Sequence, residues 1–457
     1  MSGCEIDAGH TCFNQALPVG AIDVFASFIL IVLLVAATPI TVIFDGPIVH
    51  GLVAATGAVA IAIISRAIHP GEATFLLTLI RRAAIVVAAP AIWMLIQILP
   101  LGSIGVSNPI WQGAETALGH PVIGGISIDP GATLLAFCNY VSTVAIMLAV
   151  MAVTIDRRRA EWLLFALMAT TTLVAALSIG HDLGEFTFLG KLSVSSATPA
   201  VADCTALGII ISAACGIRAI ERYETRRPGQ GTSALAFVPA IATCASAFSI
   251  CSLALALRAT GNQILATSFG LVTLAAVIVI RRFGLGTWGY SAIAAVALVV
   301  LASIILTQPG LQNTDLTLAF THAPAPLASI TRRILADASW AGTGAGTFGD
   351  LIPIYRDLDD VIHGSAAPSA AATIAVELGR PALSAAVAIA IVAIVWLLQG
   401  ALRRGRDSFY PAAGASSIVT LLFLAFGDVG LFATGVAIIT AAILGLAVAQ
   451  SRSRTIQ

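Results

Sequence analysis

The sequence contains few charged residues. Asp, Glu, Lys and Arg make up only 10% of its 457 residues, whereas soluble domains carry about 25%. Hydrophobic residues make up 58% of the chain. This composition excludes an ordinary soluble enzyme and predicts an integral membrane protein with little mass outside the bilayer.

Cysteine pairs, a cleavable leader and internal repeats are also lacking. The seven cysteines include no Cys-x-x-Cys pair, and five of them lie in apolar runs, where cysteine acts as a small core residue. Cys4 and Cys12, with His10 between them, could form a metal clip, but we do not favour one. Residues 1–21 are polar and mixed, unlike a signal peptide. We therefore expect no metal, no cofactor and no removed leader.

Twelve apolar segments remain as candidates for transmembrane helices, because about 20 residues span the hydrocarbon layer and a helix satisfies its own backbone groups. They are 23–44, 50–66, 76–99, 131–154, 160–179, 199–217, 235–256, 261–280, 287–306, 370–399, 413–427 and 430–449. The tenth is expected to begin with a broken or re-entrant turn, since Glu377 and Arg380 lie near its start. The sequence thus predicts an all-α, polytopic membrane protein with about 12 transmembrane helices.

Arginine clusters orient these segments, because positive charge favours the cytoplasmic side. Six clusters fall at alternate ends of the segments: Arg66, Arg81 and Arg82; Arg157, Arg158 and Arg159; Arg218, Arg222, Arg226 and Arg227; Arg281 and Arg282; Arg403, Arg404 and Arg406; Arg452 and Arg454. All lie on one side if both termini are cytoplasmic. The chain then divides into an N-terminal membrane domain of about nine helices (1–306), a large outer loop (307–369) and about three C-terminal helices (370–457).

A few basic residues remain on the outer side against this bias. They are Lys191, Arg258, Arg332, Arg333, Arg356 and Arg380. A cation in such a position usually has a partner or a task. Among these residues Arg258 is the least expected to be simply solvated, because it ends one apolar run just before Gly261 begins the next.

Nearly all the candidate chemistry lies where the apolar pattern breaks, between Gln308 and Pro368. A loop of this length is uncommon unless it is functional or disordered, and its patterned, aromatic sequence argues against disorder. Its core, Trp340-Ala-Gly-Thr-Gly-Ala-Gly-Thr-Phe348, follows no strand and lacks the Lys-Ser/Thr pair of a nucleotide-binding loop. The glycines predict a tight backbone path, whose exposed N–H groups could help to hold an anion.

The charged residues around this core have two open interpretations. Arginine side chains could bind the phosphates of a lipid diphosphate, since guanidinium groups match phosphate oxygens in a bidentate way, or they could pair with nearby aspartates. The arginines are Arg258, Arg332, Arg333 and Arg356, and the aspartates are Asp337, Asp357, Asp359 and Asp360.

The roles of three further residues are also open. His363 could act as a general base or could simply be exposed. Glu377, at membrane depth, is either functional or paired with Arg380. Asp428, in the outer turn between the last two segments, either belongs to the site or caps the last helix.

The motifs follow one another in a distinctive order: Arg332-Arg333, Gly342-Thr-Gly-Ala-Gly-Thr-Phe348, Pro353-Ile-Tyr355, His363 and Glu377-Leu-Gly379. This order resembles the bacterial O-antigen ligase and O-antigen polymerase family. Other segments resemble the same family: Pro109-Ile-Trp111, Ser127-Ile-Asp-Pro130, Leu257-Arg-Ala-Thr-Gly261 and Gly427-Asp-Val-Gly430. The resemblance runs over most of the chain, and the order and sidedness of the motifs carry it.

The resemblance implies a GT-C-like, metal-independent glycosyltransferase of the bacterial inner membrane. It would act on the periplasmic face in lipopolysaccharide or exopolysaccharide assembly, with a glycan on undecaprenyl diphosphate as donor. The acceptor would be lipid A-core for a ligase or another lipid-linked repeat for a polymerase. Arg258 and Arg332 or Arg333 would bind the diphosphate leaving group, and His363 would activate or position the acceptor hydroxyl.

The chain departs from the family pattern at two places. Where family members carry a His-Asn pair, this chain has Pro368-Ser369, and His363 lies five residues earlier. Arg258 is preceded by Leu257 rather than serine. Either an insertion lets His363 reach the site, or the base has been lost and the protein is an inactive paralogue.

Two other functions remain open. Twelve helices with both termini inside would suit a transporter or flippase for a lipid-linked or anionic substrate, although no half of the sequence repeats the other, as it does in many transporters. A non-catalytic partner in polysaccharide export is the third possibility.

Overall fold

The computed structural model describes most of the membrane part of the chain. The described residues are 19–68, 70–100, 107–122, 124–183, 198–224, 234–258, 260–284, 317–318, 320–321, 323–357, 367–404 and 407–451. Within these ranges every regular element is a helix, as the apolar composition predicts.

The first ten helices precede the large loop. They are α1 (Val19–Ala36), α2 (Thr38–Ile43), α3 (Pro47–Ala67), α4 (Pro70–Ile98), α5 (Ile110–Leu118), α6 (Pro130–Val153), α7 (Arg157–Asp182), α8 (Thr198–Glu224), α9 (Ala234–Arg258) and α10 (Gly261–Phe283). Six helices follow: α11 (Ala325–Asp337), α12 (Phe348–Tyr355), α13 (Ala370–Glu377), α14 (Arg380–Arg403), α15 (Phe409–Gly427) and α16 (Thr434–Ala449), with a 3₁₀ turn at Gly430–Phe432.

Nine stretches in the described part of the chain are long and apolar enough to cross a membrane. They are Asp23–Ile43, Pro47–Arg66, Pro130–Val153, Arg157–Asp182, Pro199–Glu224, Phe237–Arg258, Gly261–Phe283, Arg380–Arg403 and Phe409–Gly427. Shorter apolar helices lie at Ala83–Ile98 and Thr434–Ala449. The architecture is therefore that of a polytopic helical membrane protein. The remaining predicted segment, 287–306, lies outside the described residues, so twelve spans stay a prediction.

Two local expectations can be compared with the helices. The tenth segment does begin with a break: α13 ends at Glu377, Gly379 has a positive φ of 97°, and α14 starts at Arg380. Arg81, by contrast, was expected to flank a turn and lies inside α4, because that helix begins at Pro70.

Helices α8 and α15 form the centre of the bundle. In the most apolar stretch of each helix, 83% of the residues are buried in α8 and 67% in α15, but only 6% in α14. Small residues allow this close packing. A Cβ added to Gly270 of α10 would meet Ser416 and Thr420 of α15, and one added to Gly445 of α16 would lie 2.6 Å from the carbonyl oxygen of Met147 in α6.

The arginines converge at one end of the bundle, here called the arginine end. Arg218 lies 2.8 Å from Glu161, Arg157 lies 2.6 Å from Asp407, and Arg281 contacts Glu221 at 2.7 Å. Clusters from separate connections therefore meet at one end, as the alternation of charge predicts. The opposite end, where the glycine-rich loop lies, is called the site end.

Replacement of Gly445 by alanine tests the packing of α16 on α6. The added methyl group meets a backbone carbonyl that cannot turn away, so we expect Gly445→Ala to cost about 1–3 kcal/mol of stability and to lower the melting temperature in detergent. Gly51→Ala is the matched control, because nothing lies within 4 Å of its Cβ and alanine improves helix propensity by about 1 kcal/mol. Equal melting temperatures for the two variants would contradict this packing.

Candidate functional site

The site end is organised around the segment Trp340–Phe348, here called the glycine loop. Gly342, Gly344 and Gly346 have φ angles of 81°, 109° and 81°, which residues other than glycine rarely adopt. The expectation of a tight backbone path is confirmed.

Close approach is the second reason for glycine at these positions. A Cβ at Gly342 would lie 2.1 Å from the carbonyl oxygen of Glu377, and a Cβ at Gly344 would lie 2.4 Å from Ser127 Oγ. Gly379 has the reciprocal constraint, since its Cβ would lie 2.1 Å from the carbonyl oxygen of Trp340. The glycine loop and the break between α13 and α14 are therefore packed backbone against backbone.

The N–H groups of residues 342–348 in the glycine loop have acceptors within the protein. The N–H groups of Thr343 and Gly344 donate to the carbonyl oxygens of Val376 and Glu377, each at 3.0 Å. The N–H groups of Gly346 and Phe348 donate to the two carboxylate oxygens of Glu377 at 2.8 and 3.0 Å. The remaining donors pair as follows: Gly342 with Ser339 O, Ala345 with Gln97 Oε1 and Thr347 with Gly344 O. The anion in this loop is thus the chain's own carboxylate.

Glu377 is nearly buried, with 9% of its surface exposed. Desolvation raises the pKa of this carboxyl group from 4.5 to about 7, because burial penalises the charge more than the N–H groups of Gly346 and Phe348 favour it. Asp350 adds a smaller repulsion in the same direction. The geometry assigns Glu377 the task of fastening the glycine loop to α13, and its catalytic role stays a prediction.

Gln97 supports the loop from the opposite side. It is completely buried at the end of α4, and its Nε2 donates to the carbonyl oxygens of Ala341 and Glu377 at 3.0 and 2.8 Å. The segment before α6 adds a further bond, since Ile128 N–H donates to the carbonyl oxygen of Thr343 at 2.9 Å. Three parts of the chain that are distant in sequence therefore hold the loop rigidly.

A cavity of about 620 Å³ lies beside the glycine loop. Gly346 and Glu377 form part of its wall, and α3, α4, α6, α15 and α16 complete it. The lining surface is mostly apolar, and its polar side chains are mainly hydroxyl groups, together with His50, Asn139 and Glu377. A concave, largely apolar space with a few placed polar groups is the usual form of a ligand site.

Arg258 lies at the site end, as expected, but it has a partner. Its Nε donates to Asp182 Oδ2 at 2.8 Å and its Nη2 contacts Asp182 Oδ1. Nη2 also donates to the carbonyl oxygen of Ser178 at 3.3 Å. Among the described residues, Asp182 and Ser178 thus accept hydrogen bonds from Nε and Nη2 of Arg258. A phosphate oxygen could therefore approach the guanidinium group at Nη1.

The loop arginines lie on and after α11, which packs against α13. Arg332 and Arg356 are exposed. Arg333 is also exposed and pairs with Asp357 at 2.9 Å, and this ion pair lowers the pKa of Asp357. Arg380 donates to the carbonyl oxygen of Leu335 at 3.3 Å. None of these arginines lines the described wall of the cavity.

His363, Asp359 and Asp360 lie outside the described residues, so the predicted base stays a prediction. Asp428 is described, and it ties three elements together. Its Oδ1 accepts from Gly430 N–H at 2.9 Å, its Oδ2 accepts from Gln263 of α10 at 2.7 Å, and its carbonyl oxygen accepts from Ala370 N–H at 2.8 Å. It therefore caps the 3₁₀ turn before α16.

Sequence reasoning missed four polar residues of this end: Gln97, Asp45, His50 and Asp203. Asp203 is fully buried in α8 and lies against Gly430. An acidic or amide residue inside an apolar segment is the signal that could have found Asp203 and Gln97. Asp45 and His50 contact each other at 2.8 Å, but no local signal marks the site they form, because their other partners come from α6 and α16.

The chain matches no model of a protein family and shows no significant similarity to curated proteins. The resemblance to O-antigen ligases and polymerases therefore depends on the order of the motifs alone, and membership of that family stays a prediction.

The variant Gly342→Ala tests the backbone packing of the glycine loop. Alanine at this φ costs about 1–2 kcal/mol, and the clash with the carbonyl oxygen of Glu377 adds about 1–3 kcal/mol. We expect a lower melting temperature and faster hydrogen exchange across residues 341–348. Gly119→Ala is the matched control, since Gly119 has a φ of 68° with nothing within 4 Å of its Cβ. Equal effects of the two variants would show that the clash is absent.

The raised pKa of Glu377 predicts a pH dependence of stability. The folded state holds the proton of Glu377 more tightly than the unfolded state does, so protonation of Glu377 stabilises the fold by up to roughly 3 kcal/mol. This stabilisation is complete below about pH 4.5 and is lost as the pH rises through about 7. Melting temperatures of the wild type in detergent between pH 5 and 8 should therefore fall more steeply than those of Glu377→Gln, which cannot ionise. Glu115→Gln, at an exposed position of α5, serves as the control, and parallel curves for the wild type and Glu377→Gln would refute the assignment.

Proposed function

We propose that this chain is a membrane glycosyltransferase of surface polysaccharide assembly with a GT-C-like fold. It transfers a glycan from undecaprenyl diphosphate to lipid A-core or to another lipid-linked repeat, on the periplasmic side of the bacterial inner membrane. The observation that carries the proposal is the glycine loop, locked onto Glu377-Leu-Gly379 beside a large cavity.

The loop gives the family-like motifs a common physical purpose. The Gly-x-Gly-x-Gly-Thr-Phe segment and the Glu-x-Gly segment pack against each other. Gly342 allows close approach of the backbone at Glu377, and Gly379 allows close approach of the backbone at Trp340. The cavity that these two segments border is largely apolar. Such surroundings favour transfer from a sugar donor to an acceptor hydroxyl, because water would compete as the acceptor.

Arginine side chains supply the anion binding in this proposal. Since the N–H groups of residues 342–348 already have acceptors, guanidinium groups at the site end are the candidates for holding the diphosphate. Arg258 is the first candidate, because its Nη1 edge faces away from Asp182, and Arg332, Arg333 and Arg356 are exposed on the loop. Charge that develops on the leaving phosphate is stabilised by such fixed cations.

The pair of Arg258 and Asp182 allows a matched test of this role. If Arg258 binds the diphosphate, Arg258→Ala should lower transfer by about 10- to 100-fold, the usual effect of losing a hydrogen bond to a charged group. Asp182→Ala should retain most activity, because the guanidinium group stays. If the pair is only structural, both variants should have the same effect.

The measurement is the lipid-linked glycan pool of a deletion strain that carries each variant. We expect long lipid-linked chains to accumulate on deletion of a ligase and single repeats on deletion of a polymerase, with loss of surface polysaccharide in both cases. An unchanged pool and unchanged polysaccharide would refute the glycosyltransferase. Accumulation of the substrate on the cytoplasmic face would instead support the transporter or flippase.

A further inference from the structure

A histidine that the family-like motifs do not include lies in the wall of the cavity. His50 is in the first turn of α3 and is partly buried, with 23% of its side chain exposed. It lines the 620 Å³ cavity together with Gly346 and Glu377 of the loop contact. It is the only Lys, Arg or His side chain in the described lining of this cavity.

The contacts of His50 define the orientation of its ring. Nε2 lies 2.8 Å from Asp45 Oδ1, and a carboxylate can only accept, so Nε2 carries the proton in this pair. Nδ1 lies 3.4 Å from Nδ2 of Asn139, whose amide group donates. Both neighbours therefore favour the tautomer in which Nδ1 has a lone pair.

Asp45 is itself held in place. The same Oδ1 accepts a hydrogen bond of 2.7 Å from Thr434 Oγ1 at the start of α16. A carboxylate that is fixed by a second donor and that bonds one imidazole nitrogen keeps the other nitrogen ready to accept a proton. The arrangement of Asp45, His50 and the cavity thus has the parts of a general base and the residue that positions it.

We propose that His50 is the catalytic base of glycan transfer, with Asp45 as its positioning residue; the proposal rests on the proposed function. The acceptor hydroxyl displaces the amide of Asn139 from its long contact of 3.4 Å with His50 Nδ1. Nδ1 then takes the proton of this hydroxyl as its oxygen forms a bond to the anomeric carbon of the donor. The bond from this carbon to the diphosphate oxygen breaks, and its electron pair leaves on undecaprenyl diphosphate. The imidazolium then releases its proton to water.

The position of His50 suits this step because base and cations are separated. The diphosphate carries negative charge and belongs with the arginines, none of which is in the described lining of the cavity. The acceptor hydroxyl is neutral and can enter a largely apolar space, where the imidazole of His50 has a nitrogen that can accept a proton. The carboxylate oxygens of Glu377 are already engaged by Gly346 and Phe348.

A purely structural explanation gives a different set of outcomes. The bonds among Asp45, His50 and Thr434 also join the turn before α3 to α16, so a loss of activity alone would not separate the two roles. Chemical rescue does separate them, because added imidazole can replace a missing base and cannot replace a missing contact between helices.

The experiment uses membranes of a deletion strain, which hold the endogenous donor and acceptor, supplied with the full-length protein or its variants. We expect His50→Gln and His50→Gly to lower the initial rate of transfer by about 10²- to 10⁴-fold, the usual contribution of a general base. Imidazole at millimolar concentration should restore part of the rate in His50→Gly. Asp45→Asn should lose part of the rate, and Asp45→Glu should recover most of it. His181→Gln is the control histidine, at the end of α7.

The outcomes separate this proposal from the proposed function. If His50→Gln transfers at the wild-type rate while Arg258→Ala or Gly342→Ala does not, His50 is not the base and the glycosyltransferase stands. If His50→Gly has lost transfer without rescue and melts at a lower temperature, the role of His50 is structural and the proposal fails. Loss in His363→Gln but not in His50→Gln would assign the base to the outer loop. An unchanged lipid-linked glycan pool in the deletion strain would refute the proposed function itself.

Discussion

The hydrogen bonds from Gly346 and Phe348 to the carboxylate of Glu377 are the interaction on which the rest of the site depends. A loop packed backbone against backbone cannot give its N–H groups to water, and a buried donor without an acceptor costs about 1–3 kcal/mol. The chain meets this requirement with one carboxylate, one amide side chain and a few carbonyl oxygens. Every other feature of the site end, including the shape of the cavity wall, follows from a loop that is held in this way.

The same bonds decide how charge can be divided in the proposed reaction. Because the N–H groups of Gly346 and Phe348 already bond the carboxylate of Glu377, they are not available to a phosphate, and in the proposal the arginines outside the cavity bind the anion. In the described lining of the cavity His50 and Glu377 are the only ionisable side chains besides Tyr140, and burial raises the pKa of Glu377 to about 7. In the proposal the neutral acceptor hydroxyl enters this space, and the cations that stabilise charge on the leaving diphosphate lie outside it.

The parts of this structure that depend on local pattern could be predicted from the sequence, and the parts that depend on distant pairing could not. Hydropathy located the long helices, arginine clusters identified the two ends, and the charged pair at Glu377 and Arg380 marked the break before α14. Gln97 bonds a residue 280 positions away, and Asp45 bonds a residue 389 positions away. No spacing within a single sequence encodes such contacts, so the acceptors of the glycine loop and the orientation of His50 needed the fold. The same reason explains why Arg258 was predicted without its partner Asp182.

The arrangement of the two ends bears on the choice between transferase and transporter. A transporter that opened this cavity toward the arginine end would have to separate helices that line it, such as α6 and α16. These two helices are joined at that end by buried Gln450, whose Nε2 donates to the carbonyl oxygen of Thr154 at 2.6 Å. A buried polar group that loses its partner costs about 1–3 kcal/mol, and the transported substrate would have to supply that free energy by binding the open state more tightly. A transferase needs access from the site end alone, where the cavity lies, and it benefits from a wall that does not move, because reacting groups must be held in alignment. The rigid glycine loop and the paired arginine end are thus more economically explained by a reaction at one end of the bundle than by passage through it.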